Sequence, residues 1–210
     1  MSQFAKPTGL FGRVLARGMA WGHRDFYRNT AKVLDLKKDD AFLEIGFGSG
    51  IFIEKYASHV AKVAGVDYAQ EMVSLARRIN KKLINAGKAD LRFGDVSLLP
   101  WTDNEFTAAA TIETFFFWPN PEKGLKEIFR VLKPSGRFVL EMSYNKEDGL
   151  DHAKDIQKMG LRLYDSKEAI SLLKKAGFKD ISVSYYQGFW LPFKGYVVPK
   201  GMIVKGVKRK

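Results

Sequence analysis

The sequence predicts an α/β fold: a doubly wound sheet of seven strands, mostly parallel with the last strand antiparallel, and helices on both faces. Three observations carry this. Short apolar runs alternate with helical patterns along most of the 210 residues, which implies a parallel sheet joined by helical crossovers. The first run, Phe42-Leu43-Glu44-Ile45, enters a turn with glycines at 46, 48 and 50, and a strand running into such a turn and then a helix is a feature of open α/β sheets. The last two runs have no helical pattern between them, so they are expected to lie antiparallel.

In chain order, strands are expected near 41–46, 62–67, 89–93, 106–112, 136–142, 180–187 and 201–208, from period-2 or short apolar patterning. Helices are expected over about 50–58, 69–87, 121–132 and 166–176. Asn120-Pro121 starts a helix with proline in its first turn. Pro134 and Gly136 end that helix, and Gly177 after Ala176 is a glycine-type stop. Read as a helix, residues before the first strand place Arg13, Arg17, Arg24 and Arg28 within about 60° of one another, opposite Phe11, Leu15, Met19, Phe26 and Val33. Gly18 and Gly22 weaken that helix, with a break expected near Gly22-His23. The division is an amphipathic extension, residues 1–36, and a sheet domain, residues 37–210. The extension either packs its apolar face on the sheet or acts as a lid or basic docking face.

The glycine turn also bears on the ligand. A dinucleotide fingerprint needs its third glycine three residues after the second, at position 51, which is Ile; the third glycine here is Gly50. Glu44 before the turn would repel a pyrophosphate and attract an amine. Both features suit S-adenosylmethionine (SAM), which carries an amino group and a sulfonium and no phosphate. Asp67 ends the second strand 17 residues past Gly50 (67 − 50), where a carboxylate can accept both ribose hydroxyls. Asp95 follows the third strand, where it can accept an adenine amino group.

With these residues the chain resembles the class I SAM-dependent methyltransferases, especially the small-molecule and quinone-type C-methyltransferases. The resemblance spans roughly residues 38–142 and includes Leu99-Pro100-Trp101, Phe106 and Arg130-Val131-Leu132-Lys133-Pro134-Ser135-Gly136-Arg137; Ser135 stands where the family usually has glycine. It implies a Rossmann-like sheet. It also implies SAM as cofactor, S-adenosylhomocysteine (SAH) as product and no metal, with Glu44, Gly46, Phe47, Gly48, Gly50, Asp67, Tyr68, Met72, Asp95, Val96 and Thr111 as cofactor-binding candidates. In similar enzymes the segment before the first strand often covers the cofactor, which makes Trp21 and His23 pocket candidates.

Cofactor crevices open at the carboxyl ends of parallel strands. The segment Thr111-Ile112-Glu113-Thr114-Phe115-Phe116-Phe117-Trp118-Pro119 should therefore face the methyl donor. Aromatic rings there offer a dry wall and cation–π attraction to a sulfonium. Glu113 and His23 are the catalytic candidates, and Trp21, Glu113, Phe117, Trp118 and Tyr144 the substrate-pocket candidates. At least one of Phe115–Phe117 is expected to be core only. Of the other histidines, His59 reads as a surface residue and His152 as a cap-region residue near Tyr144 and Tyr164.

Composition narrows the classes. There are no cysteines, which excludes disulfides, thiolate zinc and thiol catalysis and argues against the arsenic-methylating branch of the family. No run of about 18 apolar residues occurs and no signal-peptide pattern is seen, so the expected compartment is the cytoplasm. The net charge is +12, concentrated at the ends. Residues 1–34 hold six Lys/Arg against one acid, and residues 174–210 nine against one. Those ends are read as solvated, with Lys208-Arg209-Lys210 a tail, or as a peripheral contact with an anionic surface. The expected partner is a small-molecule methyl acceptor. Nucleic acid is disfavoured because Ile112-Glu113-Thr114-Phe115 stands where exocyclic-amine methyltransferases carry an Asn/Asp-Pro-Pro-aromatic motif. The alternatives are an RNA- or protein-directed methyltransferase and a non-catalytic SAM-binding protein.

Overall fold

A computed structural model describes residues 24–187 and 200–209. Trp21, His23 and the rest of the expected N-terminal helix up to that point lie outside the described residues, as do 188–199 and Lys210. The chain runs α1 (Arg24–Leu34), β1 (Ala41–Ile45), α2 (Ile51–Tyr56), a 3-10 turn (Ala57–His59), β2 (Lys62–Asp67), α3 (Gln70–Ile79), α4 (Lys81–Asn85), β3 (Ala89–Phe93), β4 (Phe106–Ile112), a 3-10 turn (Phe115–Phe117), α5 (Pro121–Val131), β5 (Leu132–Met142), α6 (Ala153–Met159), α7 (Ser166–Ala176), β6 (Lys179–Tyr186) and β7 (Gly201–Val207).

The seven strands form one sheet in the order β3-β2-β1-β4-β5-β7-β6. β1 pairs parallel with β2 and β4, while β7 runs antiparallel to both β5 and β6. The strand order reverses between β1 and β4, so the crevice expected of an open α/β sheet lies above their carboxyl ends. Strand alternation builds two cores. Leu43, Ile45, Phe138, Leu140, Met202 and Val204 face α5 and α7. Phe42, Ala108, Ala110, Val139 and Ile203 face α1, α2 and α3. Among the described residues no helix is long and apolar enough to cross a membrane.

The ends of the helices follow their sequence signals. Asn120 caps α5 by accepting from Lys123 N at 3.0 Å, with Pro121 in the first turn. Asp165 and Glu168 form a capping box at α7, and Gly177 closes it in the left-handed conformation. Arg137 fixes the end of α1: its guanidinium donates to Leu34 O at 2.9 Å and pairs with buried Asp40 at 2.5 Å, and Lys205 Nζ donates to Val33 O at 3.1 Å.

Four expectations are corrected. The helix expected over 69–87 breaks at Asn80, whose side-chain amide turns inward to Gly50 O and Ala76 O, each at 3.0 Å. The helix expected over 50–58 ends at Tyr56 and continues only as a 3-10 turn. Strand β5 begins at Leu132 rather than 136, with a register shift against β4 at Phe106/Ala108. Lys208 does not belong to a solvated tail. Lys208 Nζ donates to Phe129 O at 2.8 Å, Leu132 O at 2.7 Å and Asn104 Oδ1 at 2.9 Å, which satisfies carbonyls at the end of α5, and Arg209 pairs with Asp180. Burial holds the Lys208 ammonium below the usual lysine range.

Lys208→Met removes the donors to the Phe129 and Leu132 carbonyls. It is expected to cost about 1–3 kcal/mol of stability in urea unfolding; an unchanged midpoint would return Lys208 to the solvated class.

Candidate active site

The glycine turn is built for close packing on one side and for approach on the other. Gly46, Gly48 and Gly50 all take positive φ, +72°, +52° and +74°, a region that side-chain-bearing residues rarely adopt. A Cβ on Gly46 would meet the Thr114 side chain at 2.5 Å, and one on Gly50 would meet Asn80 and Ala76 at 2.7 and 2.8 Å. A Cβ on Gly48 would meet nothing within 4 Å, so this backbone borders open space at the mouth of the crevice.

Asp67, at the end of β2, holds the turn in place. One carboxylate oxygen accepts from Gly48 N at 2.8 Å and the other from Ala69 N at 2.9 Å. Each oxygen keeps acceptor capacity, so the group can take two further hydroxyl donors such as a ribose diol. Burial pushes the Asp67 pKa up, while the two amide hydrogen bonds oppose the shift. Asp95 is exposed, and one oxygen accepts from Ser97 N at 2.6 Å. Val96 beside it is half-buried. Tyr68 is 37% exposed. Met72 is buried against Ala69 and Leu75, and Phe47 is buried with its ring against Gly65.

Glu44 is 3% exposed, and its Oε2 has no hydrogen-bond partner among the described residues. Burial raises its pKa well above the ordinary carboxylate value, and Asp67 adds to the rise. An unpartnered buried carboxyl oxygen beside a turn that opens to solvent fits a cationic or N–H-bearing ligand. The residues present therefore fit SAM: acids for the amine and ribose, and a turn that lets a ligand approach the backbone.

At the end of β4, Glu113 takes φ +58°, an uncommon conformation for a residue with a side chain. Its carboxylate accepts from the backbone N–H of Ser143 and from Ser143 Oγ at 2.7 Å. Burial pushes its pKa up to about 7, against the Ser143 hydrogen bonds and a contact with the Glu141 carboxyl. Glu141 on β5 is fully buried. Burial, then the charge of Glu113, raises its pKa well above the carboxylate range, and Tyr186 donates its hydroxyl to Oε1. The Tyr186 ring lies against Gly201, where any Cβ would overlap it.

The aromatic segment divides. Phe115 is fully buried, 5.0 Å from Trp118 and 4.8 Å from Tyr164, as expected for a core member. Trp118 is buried and packs on Phe115 and Gly124. Phe117 and Tyr144 are half-buried, each against Phe116 at 4.8 and 5.9 Å. The Thr111 hydroxyl is buried: it donates to Ile45 O at 3.2 Å and lies 2.5 Å from Thr114 Oγ1. His152 pairs with Asp148 at 2.7 Å through Nε2, with Nδ1 toward Asp155 at 3.8 Å, so both ring nitrogens face carboxylates. His59 is exposed beside Tyr56. Among the described residues no group of His, Cys, Asp or Glu is arranged to hold a metal.

Sequence reasoning missed Glu141, Ser143, Tyr186, Tyr27 and Asn80. One signal was present for Glu141: an acid inside Phe138-Val139-Leu140-Glu141-Met142, placed near the end of its strand as Glu44 is in β1.

Comparison with known proteins agrees with this geometry. A family model for a methyltransferase domain matches residues 43–140. The chain is 26% identical over 159 residues to YdaC, an uncharacterised methyltransferase of Bacillus subtilis, covering 74% of this chain and 81% of YdaC. Sterol C-methyltransferases of nematode and plants also match, and the chain spans under half of their length. A SAM-dependent methyltransferase of Thermotoga maritima superposes with a TM-score of 0.72 at 25% identity, covering 94% of this chain and 97% of that one. Phosphoethanolamine N-methyltransferase 2 of Haemonchus contortus, solved with phosphomonomethylethanolamine and SAH, gives a TM-score of 0.78 at 17% identity, covering 93% and 57%. The chain belongs to the class I SAM-dependent methyltransferases. It is an enzyme of that class, and SAM is its cofactor.

Glu113 binds its proton more tightly folded than unfolded, so the folded state gains on the unfolded as pH falls from about 7 toward the ordinary value of 4.5. Glu44 and Glu141 act in the same direction. Asp40, Glu127 and Glu168, whose pKa values are lowered, lose stability only as pH falls further. Stability of the cofactor-free protein is therefore expected to fall between about pH 5 and pH 7. Glu113→Gln should remove about 2 kcal/mol of that slope, read from urea midpoints across the range.

Proposed function

We propose that this enzyme transfers the methyl group of SAM to a small-molecule acceptor by in-line displacement above the ends of β1 and β4. The observation that supports the reading is the segment after β4, where Thr114 packs against Gly46 of the turn, Glu113 is pinned by Ser143 and the half-buried rings of Phe117 and Tyr144 rest on Phe116. Apolar rings beside a cofactor turn help to exclude water and to position a compact acceptor.

Bound SAM supplies an already activated methyl whose leaving group is a neutral thioether. In this reading Asp67 accepts the two ribose hydroxyls, Asp95 accepts the adenine amino group through its remaining oxygen, and Glu44 faces the amino group. The backbone of Gly46, Gly48 and Gly50 lies along the cofactor, with Tyr68, Val96 and Met72 around its adenosine end. Phe47 and Thr111 support the turn from behind. Residues 1–36 form an extension to the domain of residues 37–210. Through Phe26 and Tyr27 its helix α1 packs against Tyr186 and Phe52, which supports a covering role for that segment. Lys208 is engaged within the fold, which leaves it little to offer a nucleic acid.

The test is incubation with SAM carrying a tritiated methyl and an extract holding small metabolites, RNA and protein. Label is expected in the small-metabolite fraction. Label confined to RNA or protein would replace this reading with the macromolecular one.

A further inference from the structure

The α1 side of the sheet carries more buried acid than the cofactor requires. Glu44, on β1, shares its side of the sheet with Phe42, and Glu141, on β5, shares its side with Val139; Phe42 and Val139 belong to the same core. In register, Glu44 pairs with Ala110 of β4 and Ala110 with Val139 of β5, so the two acids lie on the same side of the sheet, two strands apart and offset by the two residues from Val139 to Glu141. Ser143 has the same phase as Glu141 and pins Glu113 at the same edge. Tyr27 of α1, whose ring packs on Phe52, is within electrostatic reach of all three. Its phenol is pushed up first by burial, then by Glu44, Glu141 and Glu113.

Two carboxyl oxygens in this volume, Glu44 Oε2 and Glu141 Oε2, are buried without a hydrogen-bond donor among the described residues, and no described lysine or arginine forms an ion pair with any of the three acids. The amino group of SAM answers one of these demands, at Glu44. The other lies against Glu113, the acid nearest the aromatic wall in sequence. Buried unpartnered acceptors of this kind call for N–H donors carrying positive charge.

We propose that the acceptor is an amine that arrives as an ammonium and gives its proton to Glu113; this rests on the methyltransferase reading above. The ammonium R–NH3+ transfers a proton to the Glu113 carboxylate. The freed nitrogen lone pair then forms the N–CH3 bond as the C–S bond breaks, its electron pair staying on sulfur. SAH leaves as a neutral thioether, the product is R–NH2+–CH3, and Glu113 returns its proton to water. Glu141, anchored by Tyr186, is a positioning residue that keeps a second carboxyl behind Glu113.

The experiment uses the labelled small-metabolite fraction itself. SAM and other adenosyl compounds are removed on charcoal, and the labelled product is passed over a strong cation exchanger. A methylated amine remains cationic and is expected to be retained. Glu113→Gln is expected to lower the rate by about 100-fold or more, the scale of general-base catalysis, with SAH affinity within about 2-fold of wild type. Should that variant misfold by circular dichroism, Glu113→Asp, which withdraws the carboxylate by one methylene, is expected to show the same split. Labelled product that flows through as a neutral or anionic molecule overturns the amine assignment, as does a folded Glu113 variant with full activity. No label in any fraction from protein that binds SAH overturns it too, whereas protein that does not bind SAH refutes the parent reading instead.

Discussion

The hydrogen bonds from Gly48 N and Ala69 N to the two oxygens of Asp67 are the constraint on which the site depends. They join the turn after β1 to the turn after β2. Without them, three positive-φ glycines at alternate positions would have little to select one conformation, since glycine gives up more backbone freedom on folding than other residues. Asn80 completes the clamp from the far side by donating to Gly50 O. The same carboxylate that orders the turn keeps further acceptor positions, the ones proposed above for the ribose.

Around that clamp the protein carries costs that a purely structural core would avoid. Glu44 and Glu141 are buried, Glu113 is partly so, and all three titrate upward. Burying a carboxyl without a compensating donor costs a few kcal/mol. Glu113 adds a left-handed backbone at the end of β4. Strain and unsatisfied acid gathered at the carboxyl ends of β1, β4 and β5 are what a site awaiting a charged ligand would show. The scaffold offsets them elsewhere. Arg137 and Lys205 fix α1, Lys208 fixes the end of α5, and capping residues close α5 and α7.

Much of this was legible in the chain. The seven strands fall within a few residues of their apolar patterns, because each side of the sheet is buried and tolerates no slip of register. The glycine spacing and the acids at Glu44 and Asp67 could be read because they sit at fixed offsets from strand ends. What escaped was tertiary. Asn80 interrupts a sequence with good helical patterning only because the turn 30 residues earlier offers its amide a carbonyl. The partners of Trp118 and Thr111 were not legible either: Phe115 with Gly124 packs the first, and Ile45 with Thr114 holds the hydroxyl of the second. Glu113, Glu141 and Tyr186 come from three separate strands, and no local pattern brings them together. Lys208 resembled a solvated charge until the end of α5 was placed beside it.

The measurement that bears most directly on the account is calorimetric titration of the wild-type protein and Asp67→Ala with SAH. The account predicts binding by wild type and a loss of about 2 kcal/mol, roughly 30-fold, in the variant, the scale of charge-assisted hydrogen bonds. Equal affinity in the two proteins, or no binding by wild type, would contradict it.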